Sequence, residues 1–266
     1  MDLHICITCG TQYPPSEQPP AHCPICEDER QYVNPAGQRW TTLAELRRHC
    51  ENRIEKVADG LHSIVTKPQF AIGQRAYLVR TNEGNLLWDC VALIDQDTVS
   101  TLWALGGVSA IAISHPHYYT TMIEWGRAFG GVPIYLHEAD RQWVQRDEKD
   151  QIEYWSGPSK ELPGGLTLVH CGGHFDGGAV LHWKAGSAIL PGDILQVCPD
   201  RKSFGFMYSY PNFIPLHPQA VRNIVSAVDP YDFDTAYGAF GNVISTGAKQ
   251  AVTASASRYL RMIGAE

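Results

Sequence analysis

Two histidines one residue apart, in Ser114-His115-Pro116-His117-Tyr118-Tyr119-Thr120, follow directly on an apolar run and have the spacing of half a metal site. That run, residues 108–113, has the length and β-branched composition of a buried strand, so the histidines leave its C-terminal end on a loop held by a rigid element. Nearer the start of the chain, Cys6-Ile7-Thr8-Cys9-Gly10 and Cys23-Pro24-Ile25-Cys26 form two C-x-x-C pairs separated by a short polar, proline-rich loop. Such pairs curl into two turns whose four thiolates close a tetrahedron around one ion. Gly10 and Pro24 favour the tight turns that aim backbone amides at the sulfurs. Paired disulfides are the competing use of these cysteines, and a reducing compartment disfavours them. A closed four-sulfur site serves folding, and zinc is expected there; iron on the same ligands would carry electrons, and spacing does not choose between them.

These residues need elements to hold them. The chain has 266 residues, and 44% hydrophobic content is enough for a substantial core. A net charge of -7 and a pI near 5.9 argue against nucleic acid as the main partner, because phosphate neutralisation calls for a basic surface. No stretch approaches the roughly 18 apolar residues of a membrane span, and residues 1–6 lack the basic start and apolar core of a signal peptide. A cytoplasmic protein acting on a small molecule, with no membrane partner and with self-association open, is expected. Cys50, Cys90, Cys171 and Cys198 lie among apolar or glycine-rich neighbours and read as small hydrophobes.

A helix is expected between the cysteine module and the rest. Thr42 to Glu45 fits a capping box, and Leu43, Leu46, Cys50, Ile54 and Val57 fall on one helical face, with Asp59-Gly60 as the stop. The reading is therefore a module over residues 1–34, a linker helix over 35–60 and a main domain over 61–266. In the main domain the pattern predicts strands at 62–66, 74–81, 85–93, 108–113, 132–136, 166–170, 179–183, 187–190 and near 235. It predicts helices at 97–105, 119–129, 139–145, 218–228 and 249–262. Strands and helices mixed in both halves suit two packed sheets covered by helices.

With those elements in order, the chain from Leu61 onward resembles the metallo-β-lactamase superfamily. Leu87-Trp88-Asp89 stands at the family's early strand ending in aspartate, and Ile113 to His117 at its H-x-H-x-D-H loop. Gly173-His174 with Gly177-Gly178 resembles the P-G-H-x-x-G segment, Leu190-Pro191-Gly192-Asp193 the strand ending in G-D, and Gly238-Ala239-Phe240 the G-H-G turn. The resemblance implies an α/β fold, a four-layer αββα sandwich. The first 34 residues resemble a zinc ribbon or the rubredoxin-like module of rubrerythrins.

Carried over residue by residue, the resemblance gives His115, His117 and His174 to a first ion and retains Asp193. Tyr119, Thr120 and Ala239 stand where the family has an aspartate and two histidines of a second ion, so one zinc or iron is expected instead of two. Three imidazoles fix zinc and leave a position for water, whose pKa falls toward 7 and yields a hydroxide nucleophile. Asp193 is then a ligand or the base holding the water, and Tyr119 a donor to a developing oxyanion. A metal-dependent hydrolase is the leading reading. The alternatives are a mononuclear iron oxidoreductase similar to the persulfide dioxygenases, with two histidines and a carboxylate around ferrous iron, and a degenerate metal-binding or structural protein.

Nearby residues admit two readings each. The segment Arg201 to Tyr210 either walls a substrate pocket, with Arg201 and Lys202 facing an anionic group, or packs its rings as a satellite core. Asp176 either orients His174 or makes a turn with Gly177. His217 reads as the residue before a helix, His170, His182 and His137 as structural, His4, His22 and His49 as surface neighbours, and the resemblance implies that Asp89 is a structural residue behind the site.

Overall fold

A computed structural model describes residues 1–148 and 151–265; the remaining positions of the expected main domain, 149, 150 and 266, lie outside them. Two sheets form the body. The first has seven strands in the order Ile152–Trp155, Ile134–His137, Ala110–Ala112, Leu86–Trp88, Arg75–Val79, Leu61–Lys67 and Glu51–Ala58. Its first four run parallel, and the remaining neighbours pair antiparallel. The second has six strands in the order Ser159–Leu162, Leu166–His170, Ala179–Trp183, Ala188–Leu190, Thr235–Tyr237 and Val243–Ile244.

The period-two alternation of strands decides what each face buries. Tyr77, Val79, Leu86, Trp88 and Ala112 of the first sheet meet Leu168, Leu181, Trp183 and Leu190 of the second in one core. Their neighbours Ala76, Leu78, Leu87 and Ile111 face outward against Leu102 of helix Gln96–Ala104 and Met122, Ile123 and Trp125 of helix Met122–Ala128. Val180, Ile189 and Ala236 pack on Val221, Ile224 and Val228 of helix Pro218–Val228 and on Val252 and Ala256 of helix Ala248–Met262. Three stacked apolar interfaces make four layers, αββα. Among the described residues no helix is long and apolar enough to cross a membrane.

The linker helix is shorter than its spacing predicts. Thr42 does cap it, its hydroxyl accepting from the Glu45 amide at 3.3 Å, but the helix covers only Leu43–His49. Residues 51–58 instead form the edge strand of the first sheet, antiparallel to Leu61–Lys67. The same letters fit both periods: Asn52 and Ile54 alternate with Glu51, Arg53 and Glu55, and charges on an outer strand protect its open edge. Gly60, at φ +75°, makes the turn between the two strands. The two strands Ile152–Trp155 and Ser159–Leu162, which the pattern did not predict, complete the sheet edges next to each other in sequence.

The first 41 residues carry a small sheet, Gln12–Ser16, Asp2–Cys6 and Trp40–Thr41, beside the two cysteine knuckles. The module packs on the main body: the Gln12 amide donates to the Thr120 carbonyl at 2.9 Å, and Trp143 joins the apolar shell of the cysteines.

Candidate metal centre

Each functional side chain sits at the end of a strand. Strand Ala110–Ala112 runs out at Ile113 and Ser114, where the Ser114 amide donates to Asp89 Oδ1 at 2.8 Å. Asp89 itself terminates strand Leu86–Trp88 at φ +62° and is buried, which pushes its carboxyl up to about 8. Its role is structural, and its contact is with the start of the histidine loop. Ser114 Oγ then meets His115 Nδ1 at 2.9 Å, and Pro116 opens a 3-10 turn over Pro116–Tyr118 that carries His117. The facing loop, residues 171–178, needs its glycines: a side chain on Gly173, at φ +88°, would meet Ile224 Cδ1 at 2.8 Å. Asp193 follows Gly192, where a side chain would come within 2.7 Å of Ser114 Oγ.

These loops bring His115, His117, His174 and Asp193 together, with one ligand atom from each within 4.8 Å of all the others. All are buried, from 1% to 4% exposed. His117 Nδ1 lies 3.3 Å from His174 Nε2, and His115 Nε2 lies 3.6 Å from Asp193 Oδ2. Bonds of 2.0 to 2.1 Å around a tetrahedral ion put neighbouring nitrogens about 3.3 Å apart, so the spacing fits zinc. His115 Nε2 is buried with no hydrogen-bond partner, a state that a metal relieves, and Asp193 Oδ1 beside it is likewise unpartnered. His174 Nδ1 lies 3.2 Å from the Met207 carbonyl. A carbonyl only accepts, so Nδ1 carries the proton and the Nε2 lone pair points at the cluster. Burial, reinforced by His115, lowers His174 to about 3, and burial followed by His174 holds His117 well below the imidazole range. Both rings are therefore neutral at pH 7, the form that binds a metal. Phe175 backs all three histidines, with ring centroids 5.0 to 5.6 Å away.

The four N-terminal cysteines also converge, buried, with Cys6 to Cys26 and Cys9 to Cys23 sulfurs both 3.6 Å apart. A disulfide needs about 2.05 Å. A tetrahedron with 2.3 Å metal–sulfur bonds has edges of about 3.8 Å, so the geometry suits an ion and all eight cysteines of the chain are free. Gln38 Nε2 donates to Cys6 Sγ at 3.1 Å, as a neighbour of a thiolate does.

Two expected roles move. The Tyr119 hydroxyl donates to the Asp140 carbonyl at 3.4 Å and its ring packs in the core, where burial raises the phenol well above its usual range. The 3-10 turn instead sets the preceding residue, Tyr118, beside His115 at 5.2 Å, with its buried hydroxyl unpartnered and its pKa raised by burial and then by Asp193. Thr120 and Ala239 are buried as packing residues, so none of the three positions that differ from the family supplies a ligand. Arg201 and Lys202 are exposed in a turn beside Asp200, while Phe204 and Phe206 pack in the core; the segment divides between its two readings. Asp176 is exposed and does not orient His174, a task taken by Met207.

The remaining histidines are structural. His170 Nε2 donates to the Asp176 carbonyl of its own loop at 2.8 Å, and the ring stacks on His137 at 3.8 Å. His182 bonds the Asp232 carbonyl, and His217 caps helix Pro218–Val228 by accepting from Gln219. His22 and His49 are exposed as expected, but His4 is buried at 8%.

Sequence reasoning missed the cavity that opens on the cluster. It holds about 160 Å³ and is lined by Arg30, Gln31, His117, His174, Asp193 and Tyr210 among others. Tyr210 donates to the Asp193 carbonyl at 3.0 Å. Arg30 and Gln31 come from the cysteine module, about 90 residues away in sequence from the histidine loop, and no local pattern marks them.

Three histidines and an aspartate gathered beyond the strand ends of an αββα sandwich are the arrangement of the metallo-β-lactamase fold. Solved structures agree: the VMB-1 structure superposes with a TM-score of 0.62 at 14% identity, covering 80% of this chain and 98% of that one. The metallo-β-lactamase FIM-1 from Pseudomonas aeruginosa, in its mono-zinc form, gives 0.60 at 11%, covering 79% and 96%. A metallo-β-lactamase from Hirschia baltica gives 0.56 at 17%, covering 78% and 97%. No family model matches the sequence. The chain belongs to the family of the uncharacterized protein YmaE of Bacillus subtilis (strain 168), to which it is 46% identical over 272 residues, covering all of this chain and 98% of that protein.

Proposed function

We propose that this protein is a hydrolase of small molecules that works with a single ion held by His115, His117 and His174, with Asp193 beside it as the base, and that the four cysteines hold a second, structural zinc. The convergence of all three histidines with Asp193, buried and with lone pairs unspent, carries this reading. A two-histidine, one-carboxylate iron site needs only two of them, which favours the hydrolase over the oxygenase. An ion at this site supplies Lewis acidity, lowering the pKa of a water toward 7. The protein's own groups do the rest. Neutral His117 and His174 offer lone pairs, Met207 fixes the orientation of His174, and Ser114 that of His115. The unpartnered Asp193 Oδ1 is placed to take a proton from an attacking water and pass it to the leaving group. The small cavity, walled by Ile72, Phe240 and Tyr210, limits access of bulk water. A reducing, cytoplasmic setting suits four free thiols at metal-binding spacing.

The test is a panel of thioester, lactone, phosphodiester and β-lactam substrates offered to metal-stripped and zinc- or iron-reconstituted protein. One class should be turned over only after reconstitution, and Asp193→Asn should lower its kcat by roughly 100-fold or more, the range of a lost general base. Turnover that survives metal removal contradicts the proposal.

A further inference from the structure

We infer that the cysteine module is a wall of the reaction site, and that Arg30 on it binds an oxyanion group, carboxylate or phosphate, of a small substrate. The inference rests on the hydrolase reading above and names its substrate class. Arg30 follows the second knuckle by four residues. Its guanidinium lies 4.4 Å from the Phe175 ring, 4.7 Å from Tyr208 and 5.7 Å from Trp143. Phe175 is the ring that backs all three metal-site histidines, so one aromatic side chain separates this cation from the ligands.

The donors of Arg30 are largely unspent. Its side chain is 11% exposed, and among the described residues its guanidinium meets only the two Asp28 oxygens, each at 3.3 Å from Nη1. Nε is buried without a partner. A buried donor with no acceptor is costly, and a planar guanidinium matches the paired oxygens of a carboxylate or phosphate. Gln31 is 4% exposed and lines the same cavity, and its Oε1, buried without a partner, is an acceptor that takes a donor on the ligand and not its oxyanion. The segment is held in place by Asn212, whose Nδ2 donates to the Glu29 carbonyl at 2.9 Å and the Gln31 carbonyl at 2.8 Å. A volume of about 160 Å³ is that of roughly five waters. A ligand of a few heavy atoms therefore spans from Arg30 to the histidines.

The test uses full-length, zinc-reconstituted protein and four thiols of similar length: 3-mercaptopropionate, 2-mercaptoethylphosphonate, 2-mercaptoethanol and cysteamine, with affinities from isothermal titration calorimetry. At least one anionic thiol should bind about 10-fold more tightly than 2-mercaptoethanol, and the better of the two tells carboxylate from phosphate. Arg30→Met should abolish that advantage and Arg30→Lys should reduce it about threefold or more. Equal binding of all four thiols, or an advantage that persists in Arg30→Met, overturns the inference. Should Arg30→Met fail to fold, an unchanged advantage in Arg30→Lys overturns it instead. Metal content of the same samples separates the two readings. An ion at the histidines without anion preference removes the role of Arg30 alone. An empty histidine site removes the hydrolase reading, and melting with malonate then decides for Arg30: a rise in Tm in the wild type that is absent in Arg30→Met supports it, and no rise overturns it.

Discussion

The Met207 carbonyl beside His174 Nδ1 determines which nitrogen faces the cluster, and burial determines that the ring stays neutral. Those two effects, local and inexpensive, leave the Nε2 lone pair of His174 free for an ion. Tyr119 shows the opposite outcome for a residue two positions from His117: the 3-10 turn at Pro116 directs its hydroxyl to a backbone carbonyl in the core. Removing that long hydrogen bond should lower the unfolding free energy by about 1 kcal/mol. Tyr119→Phe should therefore shift the urea midpoint slightly and leave turnover and metal content unchanged; a drop in kcat with the metal retained would place the phenol back at the reaction. The grouping of His115, His117, His174 and Asp193 was legible from the sequence because each follows a strand in a loop or turn with a recognisable motif. The orientation of Tyr118 and Tyr119 was not, because one turn of 3-10 helix exchanges the faces of adjacent residues.

Among elements, the histidine loop and the first cysteine knuckle share a single brace. Gln74, at the start of strand Arg75–Val79, donates from Nε2 to the Cys9 carbonyl at 2.6 Å and to the His117 carbonyl at 3.1 Å, and it is 4% exposed. Gln74→Leu leaves two buried carbonyls short of a donor and should cost about 2 to 4 kcal/mol, at about 1 to 3 per unsatisfied group before relaxation. It should also loosen His117, so that the histidine-site ion is lost to a chelator sooner than in the wild type while the cysteine-site ion is kept. Equal loss rates for both proteins would show that the brace does not hold the loop. The linker region shows why spacing alone was ambiguous: Leu43, Leu46, Cys50 and Ile54 satisfy a helical period, yet Ile54 is half-buried by the alternation of an edge strand. Only pairing with Leu61–Lys67 resolves the ambiguity, and pairing is not a local property.

At the scale of the molecule, the sandwich was legible because five landmarks fall in order along 150 residues. The placement of the cysteine module was not, because contacts such as Asn212 with Gln31 and Gln12 with Thr120 join residues more than 100 positions apart. The module is part of the site's architecture and not a separate appendage, and the three positions that differ from the family are packed as core. Two ions per chain, one at each cluster, are therefore expected. Elemental analysis of the protein purified without added metal, paired with anomalous diffraction to locate the ions, measures this directly. The predicted result is two ions per chain, falling to one at the cysteines in His174→Ala. One ion in the wild type, or two in His174→Ala with the histidine cluster still occupied, would contradict it.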